Sequence, residues 1–190
     1  MSEKVLFKPG NMLYPLPAVM ISSADKEGHT NIMTASWAGT ICSDPAMISV
    51  SIRKERYSYH MIRETGEFVI NLTTEKLVRA ADYCGVRSGR DGDKWKAAQL
   101  TPMKADTVRA PLIAESPVNI ECRVEEVIEL GTHDMFIASV TAVHGSKELM
   151  DDKNVFHLND AGLIVYSHGT YFSLGREIGT FGFSVNKKKT

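Results

Sequence analysis

Cysteine is scarce in this 190-residue chain, with only Cys42, Cys84 and Cys122 present. Three widely spaced cysteines and no CxxC pair exclude a disulfide framework and a zinc ribbon, and fit a reducing compartment. No charge of one sign is in excess either: 22 Lys+Arg stand against 23 Asp+Glu, for a net charge of -1. That balance gives no bulk attraction to a polyanion, so no nucleic acid is expected as a partner. Long hydrophobic runs are missing, and none approaches the roughly 20 apolar residues of a membrane helix. The opening MSEKVLFKPG has no apolar stretch long enough for a signal peptide, so a cytoplasmic chain with no membrane partner is expected. HExxH, EF-hand, GxSxG, GxxxxGK[ST] and strand-following GxGxxG patterns are all absent, which removes the common metal, serine-hydrolase, P-loop and dinucleotide-domain readings. No metal site is expected.

What is there reads as one domain over residues 1–190, with 43% hydrophobic residues to build a substantial core. Ala18–Ser22 is a short apolar strand, and the turn residues Asp25-Lys-Glu-Gly28 reverse the chain into Thr30 and Asn31 as a hairpin. In Met47–Ile52 the period of two puts Ile48, Val50 and Ile52 on a buried face and Met47, Ser49 and Ser51 on the other. Ser58–Thr65 predicts a short helix with a hydroxyl N-cap and a stop at Gly66, followed by a strand at Glu67–Asn71. Thr74–Tyr83 predicts a second helix, leading into a glycine-rich loop over Gly85–Gly92. Val118–Glu129 and Phe136–His144 alternate as a long antiparallel hairpin whose turn, Gly131–Asp134, carries His133. Leu163–Ser167 is a further strand, and no crossover helix repeats between strands, so the fold class is mainly β, antiparallel, with a few short helices. The Lys187-Lys188-Lys189 tail reads as a solvated terminus.

The chemistry concentrates in Asn31–Ser58, NIMTASWAGTICSDPAMISVSIRKERYS. Thr34, Ala35 and Ser36 leave room for a ligand to approach backbone, and Trp37 offers a flat face. Ser51 lies on the polar side of its strand, and Arg53 precedes Ser58 and Tyr59, where a helix N-terminus would present N–H groups and a positive dipole end to an anion. An aromatic wall followed by an anion site suits flavin mononucleotide (FMN). Each residue has a plainer reading beside this one. Trp37 is either core packing or a ligand cover, Ser58 an ordinary cap, Lys94 a surface lysine, His133 a solvated turn residue and Tyr166 strand core. Cys42 lies within the segment as a small residue with no activating base nearby.

This segment, the Ser43-Asp44-Pro45 turn, SGRDGDKW (Ser88–Trp95), GTHDMFIASV (Gly131–Val140) and the tail LIVYSHGTYFSLG occur in the order found in the flavin reductase-like family, and the chain resembles that family and its flavoredoxin branch. The resemblance implies an FMN-binding split β-barrel with Greek-key connectivity. It also implies FMN contacts at Asn31, Thr34, Ala35, Ser36, Trp37, Cys42, Ser51, Arg53, Ser58, Tyr59, Lys94, Trp95, His133 and Tyr166, with Lys94 and His133 tuning the flavin or handling protons. The implied activity is electron transfer through bound FMN, with NADH, NADPH or a redox protein as donor. Without a Rossmann motif, a nicotinamide nucleotide would dock transiently on the flavin. The rivals are a reductase that releases reduced flavin to a partner monooxygenase, and a flavin-binding module without turnover. The family pattern also implies a homodimer, with the aromatic-rich segment from Tyr171-Phe172 to Phe181-Gly-Phe183 buried between subunits.

Overall fold

The alternation expected in the chain's two longest strands organises the structure, a computed structural model that describes residues 2–185. The Lys187–Lys189 tail lies outside the described residues. In chain order the strands are β1 (Leu16–Pro17), β2 (Val19–Ala24), β3 (Thr30–Ala35), β4 (Ala38–Ser43), β5 (Ala46–Arg53), β6 (Glu67–Leu72), β7 (Pro102–Met103), β8 (Leu112–Ile113), β9 (Val118–Glu129), β10 (His133–Gly145), β11 (Ile164–Ser167) and β12 (Thr170–Ser173). Three helices, α1 (Tyr57–Thr65), α2 (Val78–Val86) and α3 (Lys94–Ala97), interrupt them, with short 3-10 turns between.

Seven strands form one antiparallel sheet in the order β3-β2-β6-β9-β10-β5-β4. The connection from β5 through α1 to β6 passes over β10 and β9, a long connection of the Greek-key kind. The two edge strands, β3 and β4, are consecutive in sequence and separated only by Ser36 and Trp37. Three peptide steps of 3.8 Å span at most about 11 Å, so the sheet must curl until its edges nearly meet at this point. They do not pair. The sheet is a barrel left open along one seam, which is the split expected from the resemblance.

Burial follows the strand period. Ile48, Val50 and Ile52 of β5 and Phe136 and Ala138 of β10 point into the curled sheet with Val19, Ile21, Met33, Phe68 and Ile70. β2 is buried along its whole length, because Met20 joins Ile32 in a second core against Leu77, Ala81, Cys84 and Trp95. A strand buried on both faces sits between barrel and helices, and fixes α2 and α3 against the outer side of β3. Gly66 ends α1 in the left-handed region at φ 68°, where its N–H bonds to Ile62 O.

Four local expectations need correction. The N-cap of α1 is Arg56, and Ser58 lies inside the first turn, fully buried. The second helix runs on to Val86, so Gly85 belongs to it and not to the loop. The helix packs closely on β3 there, since a Cβ at Gly85 would lie 3.3 Å from Thr34 Cβ. His133 is the first residue of β10, opposite Arg53 of β5, so the turn is tighter than the sequence suggests. Trp95 is core, 8% exposed on α3.

Candidate functional site

The seam opens into two adjoining clefts, of about 640 Å³ and 500 Å³, which share Met33, Arg53, Arg56 and Val86 as lining. Both volumes fall in the range of small-molecule sites.

The first cleft is walled by rings. Trp37, on the two-residue crossing between the sheet edges, is 39% exposed, while its backbone is anchored by Ser51 N–H donating to Trp37 O at 2.8 Å. His133 lies parallel to it, with ring centroids 6.1 Å apart and planes 10° from coplanar. A flat ligand between them would need two contacts of about 3.5 Å each, about 7 Å in all. A ring in this cleft therefore covers one face of Trp37 and is not sandwiched by the pair. Tyr166 and Tyr171, from β11 and β12, close the other side, packed edge to face with centroids 5.7 Å apart. Thr34, Ala35, Ser36 and Ser51 form the floor. Burial, with Arg53 close by, holds the His133 imidazole below its usual pKa, so the ring is neutral at pH 7. Its Nδ1 is 2.9 Å from Thr132 Oγ1.

The second cleft is cationic. Arg53, Arg56, Arg87, Arg90 and Lys94 line it, with Glu55 as its one carboxylate among the described residues. The loop after β5 and the first residues of α1 form one wall, so the helix N-terminus faces the same space as the guanidinium groups. Arg56 ties the two helices together, its Nη1 donating to Gly85 O at 2.7 Å. Lys94 is only 4% exposed. Its ammonium donates to Ile32 O at 2.8 Å and Cys84 O at 2.9 Å, leaving one of its three donors for the cleft. Burial pulls its pKa down to about 8.

The structure thus gathers Asn31, Thr34, Ala35, Ser36, Trp37, Ser51, Arg53, Lys94, His133 and Tyr166 around two continuous clefts. Four of the other expected residues stand back from the lining. Ser58 accepts hydrogen bonds from Asn31 Nδ2 at 2.8 Å and Ser23 Oγ at 3.0 Å, so its hydroxyl positions Asn31 from behind. Tyr59 donates to the buried Asp134 at 2.6 Å, Trp95 is in the second core, and Cys42 is half-buried on β4. Sequence reasoning missed Arg87, Arg90 and Tyr171 as lining, and had Arg56 only as one cation of the run after β5. The RKER and RSGRDGDK runs carried that signal for the arginines, but only the meeting of the α1 N-terminus with the loop after α2 shows them converging. All three thiols are free, and burial pushes Cys84 up to about 11 and Cys122 up to about 12, so both are protonated at neutral pH.

An open antiparallel barrel with an aromatic cleft running into a cationic one defines a site whose shape and charge suit a planar ring with an anionic tail. Residues 12–175 match the family model described as a flavin reductase like domain, and the chain belongs to that family. A flavoredoxin of Desulfovibrio vulgaris (Miyazaki F) superposes with a TM-score of 0.89 at 31% identity, covering 97% of this chain and 100% of that one. The flavoredoxin of Methanosarcina acetivorans gives 0.87 at 25% identity, with the same coverage. An uncharacterised protein of Archaeoglobus fulgidus is 33% identical over 141 residues, 74% of this chain and 78% of its own. No helix among the described residues is long and apolar enough to cross a membrane.

Proposed function

We propose that this chain is an FMN-binding oxidoreductase of flavoredoxin type, which takes electrons from a reduced nicotinamide nucleotide or a protein donor and passes them on through the bound flavin. The observation that carries the reading is the continuity of the two clefts: rings line one, cations line the other, and Arg53 and Arg56 stand at the boundary. The residues present fit the cofactor. Its ring would cover Trp37, its polar edge would face the Thr34–Ser36 floor, and its phosphate would meet Arg53, Arg56, Lys94 and the N-terminus of α1. When bound, FMN supplies two-electron chemistry at its ring. The chain's own groups bind and orient it: neutral His133 offers a ring nitrogen at the cleft mouth, and charged Lys94 favours negative charge in the site.

Exposed apolar surface supports a homodimer. The chain exposes 12753 Å², whereas a compact monomer of its mass exposes about 9,000 Å². Much of the difference lies in the two terminal segments, where Val5, Leu6, Phe7, Leu13, Ile178 and Phe181 have no core to cover them. The share that each chain of an obligate dimer buries, about 1,000–2,500 Å², fits within that excess.

The test is the visible spectrum of the purified, dialysed protein, followed by anaerobic addition of NADH and NADPH. A retained flavin band that bleaches on mixing supports the reading. A colourless protein that reduces added flavin catalytically would make it a reductase using flavin as substrate. A coloured protein that neither nucleotide bleaches would leave a protein donor or a flavin-binding module without turnover of its own.

A further inference from the structure

We propose that Arg87 and Arg90 form a second anion subsite, which takes the 2′-phosphate of NADPH and so selects it over NADH. The proposal rests on the reading that a reduced nicotinamide nucleotide feeds the flavin. It starts from a contrast in how cations are partnered. On the outer side of α1 they face carboxylates: Lys26 lies 3.2 Å from Glu64, Lys54 3.4 Å from Asp134, and Arg63 3.8 Å from Glu129. Arg53, at the cleft boundary, lies 3.2 Å from Glu55. Inside the second cleft, Arg56, Arg87, Arg90 and Lys94 have no carboxylate within 4.0 Å among the described residues. One FMN phosphate brings about two negative charges at neutral pH. Four cations against one such group leave about two positive charges with nothing to balance them.

Geometry says where that surplus lies. Arg56 and Lys94 are turned inward, toward Gly85 O and toward Ile32 O and Cys84 O. Arg87 ends α2, and Arg90 lies three residues on, within a tight turn, Gly89–Asp91, whose capping residue Ser88 accepts from Arg90 N–H. That turn is pressed flat on the cleft floor: a Cβ on Gly89 would fall 2.3 Å from Asn31 Oδ1 and 2.5 Å from Tyr57 Cδ1. Arg90 is held over the Tyr57 ring, 5.3 Å from its centroid, and gives one N–H to Glu55 O at 3.3 Å. Four of the five guanidinium donors remain free to bind. Arg90, held over Tyr57, and Arg87, lining the same cleft without a carboxylate partner, suit a terminal phosphate monoester, which carries two charges and three acceptor oxygens. The pyrophosphate common to NADH and NADPH carries only one charge on each phosphorus. The cationic cleft adjoins the ring cleft, so a nucleotide whose nicotinamide lies over the flavin has its adenosine end within the same groove.

The experiment compares FMN-loaded wild type with the R87S/R90S double variant. Anaerobic flavin reduction is followed with NADPH and with NADH, and adenosine 2′,5′-bisphosphate and adenosine 5′-monophosphate are titrated by calorimetry. Wild type should favour NADPH in kcat/KM, and the double variant should lower the NADPH-to-NADH ratio about ten- to a hundredfold, the range for lost charge-assisted hydrogen bonds. The bisphosphate should bind wild type at least about tenfold more tightly than the monophosphate, and that margin should vanish in the variant. An NADH preference in wild type, an unchanged ratio, or a loss of FMN affinity in place of a change in ratio would each overturn the proposal. If neither nucleotide bleaches the flavin, the donor reading fails, and equal binding of the two adenosine phosphates would then sink the subsite as well.

Discussion

Lys94 gives the sharpest quantitative prediction, because the proposed site sets its buried ammonium against the anionic end of FMN. In the free protein its pKa is about 8, down from 10.5, with burial as the largest cause. An FMN phosphate beside it opposes that burial cost and moves the pKa back toward 10.5. The coupling is therefore at most about 3 kcal/mol, the free-energy equivalent of moving the group from about 8 back to 10.5. At pH 8 the free protein holds half a proton on Lys94 and the complex holds nearly one, so FMN binding takes up about 0.5 proton. At pH 7 the uptake falls to about 0.1, and at pH 9 it rises to about 0.9. The phosphate itself is already doubly ionised above pH 7, and Cys84, at about 11, titrates outside this window. Affinity for FMN should thus weaken as pH rises above 8, by as much as about 80-fold between pH 8 and pH 10.5. Calorimetry of FMN binding in two buffers of different ionisation enthalpy measures the uptake directly. Lys94→Met should abolish it, while leaving Ile32 O and Cys84 O unpaired at a cost of about 1–3 kcal/mol. A second readout has the opposite sign. The unfolded chain holds the Lys94 proton more tightly between pH 8 and 10.5, so the stability of the free protein rises with pH across that window. Saturation with FMN should flatten the rise. No proton uptake at pH 8, or the same uptake in Lys94→Met, would refute the placement of phosphate beside this residue.

Three other outcomes follow from the geometry. Arg53→Ala with Arg56→Ala should weaken FMN by about tenfold or more, at 1.5–3 kcal/mol per charge-assisted hydrogen bond, yet change riboflavin affinity little; fluorescence titration with both ligands checks this, and equal losses would move the phosphate elsewhere. In a Trp95→Phe background, emission from exposed Trp37 should be strongly quenched by FMN; the background is tolerable because the buried Trp95 indole N–H has no hydrogen-bond partner to lose, and unquenched emission would return Trp37 to a structural role. Gly89→Ala should destabilise by about 1–3 kcal/mol through overpacking against Asn31 and Tyr57 and weaken FMN in parallel, so an unchanged melting temperature would show that the turn is not clamped.

The strands were legible because one-sided burial imposes a period of two: Ile48, Val50 and Ile52 lie inward as the alternation predicts. The sheet order was not, since nothing local tells β3 and β4 that they are opposite edges of one sheet. Site residues close together in sequence fall together in one cleft, Thr34 to Trp37 being contiguous and fixed by one strand end. Ser58 was misread because a serine near a helix start has two outlets for its hydroxyl. A cap bonds forward to its own helix, whereas this one receives Asn31 and Ser23 from β3 and β2, a contact between residues 27 and 35 positions apart. Lys94 defied its type for a similar reason: two backbone carbonyls, invisible in the sequence, supply partners that let an ammonium be buried.

The open seam has a kinetic consequence. Trp37 rides on the two-residue crossing between edges that share no ladder and is tied by its carbonyl to β5, so any opening of the seam would carry the aromatic wall away from β3. Ligand escape from such a site is timed by the width of a slit in the sheet, where an enzyme with a covering loop times it by loop opening. Mutations that stiffen β3 or β4 far from the clefts should therefore lengthen the residence time of whatever the seam holds, without touching a single contact to it.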